Sequence, residues 1–163
     1  TAFVMTELLP SVRQHYRCTR EARQTYFAGF SLGGLSAFDI AWNHAETFGG
    51  VGAFSGSFWW RSKELGQGYT DADRIPHRMV LDDGPRPGMK FWFQVGTNDE
   101  QSDRNQSGII DSIEDTLDLV EELENFGYIP DQEVKYVELL GGEHNQETWG
   151  EVLPDFLVWA FGG

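Results

Sequence analysis

The sequence predicts an α/β protein, a three-layer α/β/α sandwich built on a mostly parallel sheet. Short segments rich in aromatic and small apolar residues alternate along the chain with longer segments whose apolar residues recur at helical spacing. The short segments are apolar at nearly every position, which is typical of parallel strands covered by helices on both faces. The chain has 163 residues and no linker-like tract, so we treat residues 1–163 as a single domain.

Four segments have the length and composition of buried strands. In chain order they are residues 24–30, 49–56, 89–96 and 133–140. Helical patterns occupy much of the rest of the chain and cover residues 1–16, 32–48, 109–123 and 147–161. The first helix is expected to bend at Pro10, and the third to stop at Gly127. Residues 61–89 are polar and rich in proline and glycine, which indicates a loop with one short helix.

Composition excludes several classes of partner. The net charge is −14, so nucleic acid and anionic membrane surfaces would repel the protein and neither is expected as a partner. No apolar run approaches the roughly 20 residues of a membrane span. Cys18 is the only cysteine, which excludes an intrachain disulfide and a cysteine-based zinc cluster. The sequence does not assign a compartment.

A serine follows the first predicted strand and precedes the next helix. Residues 29–33 read Gly-Phe-Ser-Leu-Gly, the G-x-S-x-G pattern of a sharp strand-to-helix turn that carries a nucleophile. The glycines are expected to be needed because the turn brings backbone against backbone. Ser31 would then be the nucleophile, and the Leu32 N–H, at the start of the helix, would stabilise an oxyanion. The alternative is a turn serine that caps the helix.

Two further polar residues follow later strands, at the edge of the sheet where ligands bind in α/β proteins. Asp99 comes after the third strand and His144 after the fourth, in a glycine-flanked loop. A serine nucleophile needs a base within hydrogen-bond reach and an acid that orients this base. The rival acids lie next to these two residues and are Glu100, Asp103 and Glu143. The other histidines lie on predicted helices or in the polar loop and are His15, His44 and His77.

Four motifs in this order carry a family resemblance: YFAGFSLGG, FSGSFWW, VGTNDE and GGEHNQETW. Together they resemble the putative esterase family of α/β-hydrolases, which contains enterochelin-esterase-like and feruloyl-esterase-like enzymes. The resemblance implies a triad of Ser31, Asp99 and His144 that hydrolyses esters through an acyl-enzyme, without a cofactor for catalysis. It implies a small-molecule or carbohydrate-linked ester as substrate. Trp59 and Trp60 would line the acyl or aryl pocket, unless they are core residues.

The resemblance leaves two questions about activity and completeness. Acyltransferases share this fold, so transfer to an acceptor other than water stays open. The family fold has more strands than the four counted, and the missing strands would lie beside residues 24–30. We therefore expect the C-terminal portion of an α/β-hydrolase fold, without the N-terminal loop that supplies the second oxyanion donor. The apolar edge strand would be covered by the missing segment or by another copy of the chain, as a homo-oligomer.

A second motif, DRNQSGIIDSIE in residues 103–114, resembles a calcium-binding loop with one relaxed position. The alternative to a calcium site is an acidic loop whose carboxylates lie at the positive end of the following helix. If the calcium site is real, the protein could instead be a non-catalytic, calcium-stabilised binding module with the hydrolase fold. The expected ligands are Asp103, Asn105, Ser107, the Ile109 carbonyl, Asp111 and Glu114.

Overall fold

Four parallel strands form one sheet in the order in which they occur along the chain, β1-β2-β3-β4. The computed structural model describes residues 1–162. All four predicted strands are present, and each pairs in parallel with the next along the chain. Their bounds are β1 (Tyr26–Phe30), β2 (Gly50–Phe54), β3 (Lys90–Asn98) and β4 (Val134–Glu143).

Helices precede the sheet and connect its strands. The main helices are α1 (Leu9–His15), α2 (Leu32–Asn43), α3 (Ile75–Asp83), α4 (Asp111–Asn125) and α5 (Gln146–Phe161). A π-helical segment, Val4–Leu8, leads into α1, and Pro10 lies in the first turn of α1, where its missing N–H is tolerated. Short 3₁₀ turns occur at Ala22–Gln24 and Asp71–Asp73. Within residues 1–162, no helix has both the length and the apolar character of a membrane span.

The sheet separates two apolar layers, because alternate side chains of each strand point to opposite faces. On β3, Phe91 and Phe93 join a cluster with residues of α2 and α4, including Phe38 and Leu119. Trp92, between them, joins a second cluster with α5. This arrangement is the predicted three-layer sandwich, which is confirmed.

The strand β1 lies at the edge of the sheet. Within residues 1–162 it has a strand neighbour on one side only, namely β2. Ala28 and Phe30 are exposed. The apolar edge strand expected from the sequence is therefore present in the described part of the chain.

A buried ionic cluster ties the loop after β3 to α4. The Asp115 carboxylate, 1% exposed, accepts hydrogen bonds from Arg74 Nη1 at 2.6 Å and Arg104 Nη1 at 2.8 Å. Two guanidinium groups thus compensate the cost of burying one carboxylate. His77 Nε2 contacts the Asp115 carbonyl at 2.8 Å. These contacts fix the segment that follows Asp99 against the body of the fold.

Burial makes His77 an acid-sensitive element of this cluster. His77 is 2% exposed, and burial, followed by the charge of Arg74, lowers its pKa from 6.5 to about 4. The unfolded chain takes up this proton first, so stability is fully present above pH 6.5 and is lost as the pH falls toward 4. The predicted loss attributable to His77 is about 3 kcal/mol over this range.

A His77→Gln variant should show a smaller loss of stability in acid, because glutamine keeps an N–H donor for the Asp115 carbonyl but does not titrate. Urea unfolding at several pH values between 4 and 7 measures the difference. His15→Gln, at an exposed position, serves as the control and should follow the wild type. Equal losses in wild type and His77→Gln would contradict the prediction.

Candidate active site

Ser31 occupies a sharp turn between β1 and α2. Its backbone has φ 56° and ψ −125°, a strained conformation for a residue other than glycine. Its N–H donates to the Phe54 carbonyl at 2.9 Å, which ties the turn to the end of β2. The Ser31 side chain makes no capping hydrogen bond to α2. The geometry therefore matches the predicted turn and not the alternative of a capping serine.

The glycines of this turn have unequal roles. A Cβ on Gly29 would lie 2.2 Å from the Gly33 carbonyl oxygen, so only glycine fits there. A Cβ on Gly34 would lie 3.2 Å from the Gly29 carbonyl oxygen, a tight contact. A Cβ on Gly33 would meet nothing within 4 Å. The expectation that both glycines of G-x-S-x-G are needed for close backbone approach is thus right for Gly29 and wrong for Gly33.

Alanine substitutions at Gly29 and Gly33 form a matched pair. Gly29→Ala should strongly destabilise the protein, by several kcal/mol, because two backbone segments cannot separate without displacing Ser31. Gly33→Ala, in the first turn of α2, should leave stability unchanged or raise it slightly. Thermal unfolding of the two variants measures both effects. A Gly29→Ala protein as stable as the wild type would contradict the prediction.

The predicted acid and base meet above the sheet. Asp99 follows β3, and His144 follows β4. His144 Nδ1 lies 3.3 Å from Asp99 Oδ2, and the side chains are 41% and 2% exposed respectively. A buried carboxylate thus faces one ring nitrogen of an imidazole whose other edge is open to solvent.

The rival acids and histidines are engaged elsewhere. Glu100 accepts a hydrogen bond from the Ser112 N–H at 2.7 Å, and burial raises the pKa of its carboxyl. Asp103 accepts from backbone N–H groups of its own loop, and Glu143 from Asn145. Of the histidines, His15 and His44 bond locally near helix ends and His77 belongs to the ionic cluster.

Phe30, the residue before Ser31, shares an aromatic neighbour with His144. Trp149 stacks on Phe30, the residue before Ser31, with ring centroids 4.9 Å apart, and meets the His144 ring edge-on at 5.2 Å. No hydrogen bond joins the Ser31 hydroxyl to His144 among residues 1–162. Catalytic hydrogen bonds are often loose without substrate and tighten when it binds. The structure thus brings Asp99 and His144 into contact, and Trp149 lies between His144 and the residue that precedes Ser31.

Leu32 is the first residue of α2. The first N–H groups of a helix lack acceptors within it, and they carry the positive end of the helix dipole. The Leu32 N–H lies at this end of α2, directly after Ser31, as the predicted oxyanion role requires.

A buried serine behind Asp99 was not identified from the sequence. Ser55 follows β2, and its hydroxyl donates to Asp99 Oδ1 at 2.8 Å. The Trp149 Nε1–H donates to the same hydroxyl at 2.8 Å. The rule that singled out Ser31, Asp99 and His144 also applies to Ser55, since it too follows a strand. Nothing in the local sequence signals the bond from Trp149.

The two tryptophans expected in a substrate pocket line different cavities. Their rings contact each other, with centroids 5.4 Å apart. Trp59 lines a cavity of about 380 Å³ that also contains Arg61, Glu100 and Arg104 and thus borders the loop after Asp99. Trp60 lines a cavity of about 240 Å³ between α2 and α3.

Comparison with known proteins places the chain in a family. A family model described as "Putative esterase" matches residues 1–160. The chain belongs to this esterase family. Among curated relatives, the uncharacterized protein YbbA of Bacillus subtilis (strain 168) is 24% identical to this esterase-family chain over 160 residues, which are 98% of the chain and 58% of YbbA. The iron(III) enterobactin esterase of Escherichia coli (strain K12) is 35% identical over 96 residues, which are 53% of the chain and 24% of that enzyme.

Solved structures of esterases share the fold of this family member. The enterobactin esterase FES from Shigella flexneri, in the presence of enterobactin, superposes with a TM-score of 0.76 at 21% identity, over 98% of the chain and 36% of FES. A ferulic acid esterase superposes with a TM-score of 0.68 at 16% identity, over 98% of the chain and 59% of that enzyme. The sheet and its helices therefore belong to the α/β-hydrolase fold. The chain spans 59% or less of the length of the relatives named here.

The loop predicted to bind calcium is held by its own hydrogen bonds in this esterase-family chain. Both Asp103 carboxylate oxygens accept backbone N–H groups, from Ser107 at 3.0 Å and Gly108 at 2.9 Å. Asp111 Oδ1 accepts the Arg104 N–H at 2.9 Å, and Arg104 Nη1 lies 3.3 Å from the same oxygen. In the described residues, no three acidic, histidine or cysteine side chains are grouped to hold a metal ion. In the structure, the carboxylate oxygens of Asp103 and one oxygen of Asp111 are thus engaged by backbone N–H donors.

Calcium binding itself stays a prediction. Its direct measurement is isothermal titration with calcium, with Asp103→Ala as the control. The absence of heat in the wild type would exclude the site.

Proposed function

We propose that this chain carries the catalytic residues of a serine carboxylic-ester hydrolase that acts through an acyl-enzyme. The observation that supports this best is the contact between Asp99 and His144 beside the strained turn of Ser31, in a chain of the esterase family. Each of the three residues follows a different strand, at the edge of the sheet where α/β proteins bind ligands.

The proposed reaction uses these donors and acceptors in turn. Asp99 Oδ2 lies 3.3 Å from His144 Nδ1, and in the proposed reaction it accepts the Nδ1–H, so the lone pair of Nε2 acts as the base. The Ser31 oxygen attacks the ester carbonyl as its proton passes to Nε2, and the Leu32 N–H donates to the resulting oxyanion. His144 then gives this proton to the leaving alcohol, and an acyl ester remains on Ser31. Water attacks this ester by the same route, which releases the acid and restores the serine.

The names of the structural relatives favour an ester with an aromatic ring as substrate. FES was solved in the presence of 2,3-dihydroxy-N-benzoyl-serine, and another relative is a ferulic acid esterase. In this chain, the cavity bordered by the loop after Asp99 offers an aromatic face at Trp59, and the Arg61 guanidinium lies 5.8 Å from the Trp59 ring centroid. We propose that this cavity receives the ring of a small-molecule or carbohydrate-linked ester.

Replacing Trp59 by alanine tests this assignment. Trp59→Ala should raise KM for aromatic esters by about tenfold and leave KM for short aliphatic esters unchanged, because only the ring contact is removed. Trp60→Ala, which alters the other cavity, should leave both KM values unchanged. If only Trp60→Ala raised KM for aromatic esters, the aromatic subsite would instead be assigned to the cavity between α2 and α3.

Covalent labelling tests the proposed function itself. A fluorophosphonate reacts with an activated serine, so the purified protein should be labelled on Ser31, and it should hydrolyse aryl esters. Ester products should not change when alcohols or sugars are added; diversion of the acyl group to the added alcohol would instead indicate an acyltransferase. Failure to label Ser31, together with no hydrolysis, in a full-length protein that includes the second oxyanion donor would exclude the proposal and favour a non-catalytic binding module.

A further inference from the structure

A continuous chain of hydrogen bonds runs behind the proposed acid and base. It begins at the Trp149 Nε1–H in α5, passes through the Ser55 hydroxyl after β2, and ends at Asp99 Oδ1. The other Asp99 oxygen, Oδ2, faces His144. Ser55 is 2% exposed and Trp149 is also buried, so water does not compete for these bonds.

The direction of each bond is fixed by chemistry. An indole N–H can only donate, so the Ser55 oxygen must accept from Trp149. The single hydroxyl proton of Ser55 is then free to donate to Asp99 Oδ1. A hydroxyl bonded on both sides does not rotate to another acceptor, so it holds one oxygen of the carboxylate in place. Asp99 Oδ2 is consequently held toward His144 Nδ1.

The backbone places Ser55 at this position under strain. Its φ is 49°, in the left-handed region that side chains other than glycine rarely adopt. The Ser55 N–H donates to the Gln94 carbonyl on β3 at 2.7 Å, which secures the turn. Strained residues persist where the surrounding structure over-determines them, and they concentrate at active sites. Ser55 thus combines a strained backbone with a hydroxyl that is bonded to Asp99.

Trp149 contacts both sides of the proposed site in addition to its hydrogen bond. Its ring lies against Phe30, next to Ser31, and against the edge of His144. One side chain therefore bounds the imidazole, supports the turn of Ser31 and, through Ser55, fixes Asp99.

We propose that Ser55 and Trp149 are positioning residues of the esterase reaction, which hold the Asp99 carboxylate in the rotamer that orients His144. Neither residue touches the substrate; each acts through Asp99. The inference rests on the proposed function, since it assigns a role relative to the base and the nucleophile of that reaction.

Three variants test the inference. Ser55→Ala should lower kcat by about 10- to 100-fold and leave KM within twofold, because the base is misdirected while substrate contacts are kept. Trp149→Phe keeps an aromatic ring beside Phe30 and His144 but removes the N–H, so a smaller loss of kcat, about threefold to tenfold, is expected. Ser112→Ala, at a buried serine of α4 outside this chain of bonds, should keep the wild-type kcat.

A double-mutant comparison separates positioning from a purely structural role. Ser55→Ala should cause no further loss of kcat in an Asp99→Asn protein, because its effect passes through the carboxylate that is already absent. A merely structural serine would lower the melting temperature and affect kcat equally in both backgrounds. An unchanged kcat in both Ser55→Ala and Trp149→Phe would overturn the inference.

The variants distinguish failure of this inference from failure of the proposed function. If Ser31→Ala and His144→Ala lose hydrolysis while Ser55→Ala and Trp149→Phe keep it, only the positioning role is wrong. If Ser31→Ala keeps hydrolysis, the proposed function is wrong, and the positioning role is excluded with it. If Ser55→Ala does not fold, Trp149→Phe still decides, because it leaves the Ser55 bond to Asp99 in place.

Discussion

Replacing Ser31 by alanine is expected to abolish ester hydrolysis, with a loss in kcat of at least about 10⁴-fold. The hydroxyl oxygen is the proposed attacking atom, and without it no acyl-enzyme forms. The fold should survive, because the side chain of Ser31 makes no capping bond and its backbone is held by the Phe54 carbonyl. Initial rates with an aryl ester and labelling by a fluorophosphonate measure the effect.

The control for this experiment is the same substitution at another serine. Ser112→Ala removes a buried hydroxyl from α4 and should keep both hydrolysis and labelling. Melting curves of the two variants should overlay within a few degrees. Hydrolysis by Ser31→Ala at more than a few per cent of the wild-type rate would assign the chemistry to another residue.

The second large effect is expected for Asp99→Asn, with a loss in kcat on the order of 10⁴-fold. The Ser55 hydroxyl donates to Oδ1, so the amide oxygen of asparagine should occupy that position. The amide NH₂ would then face His144 Nδ1, which must become an acceptor and leave its proton on Nε2. A protonated Nε2 cannot take the proton of Ser31.

The control for Asp99→Asn is the same substitution at an exposed aspartate. Asp155→Asn makes the same chemical change at an exposed position on α5 and should not alter kcat. Because asparagine has nearly the same shape as aspartate, circular dichroism should be unchanged in both variants. A kcat for Asp99→Asn within tenfold of the wild type would show that another group orients His144.

The types and order of the elements were predictable, because they depend on periodicity and on local breakers. The C-terminal end of β4 was not predictable in this way. Residues 141 and 142 are glycines, which predicted a turn after residue 140, but β4 continues to Glu143. A Cβ on Gly96 would lie 2.3 Å from the Gly142 carbonyl oxygen, so glycine here permits close approach of β3 and β4. The same residue type serves turns and close contacts, and sequence alone does not separate the two.

The residues of the candidate site were predictable because the ends of the strands were predictable. Ser31, Asp99 and His144 were found because each follows an apolar segment. Ser55 follows one too, but its partner Trp149 is 94 residues away, and such a bond leaves no local pattern. The ionic cluster around Asp115 was missed for the same reason, since its arginines are separated from it by 41 and 11 positions.

The strand β1, which precedes Ser31, is the outermost of the four strands in the described residues. Its lateral bonds go to β2 alone, including the bond from the Ser31 N–H to the Phe54 carbonyl. Partial detachment of this one strand would displace the reactive hydroxyl while the three remaining strands stay paired. Where no further strand covers β1, loss of function on mild heating would therefore precede melting of the rest of the sheet, and the least stable element of the site would be β1 and not the acid or the base.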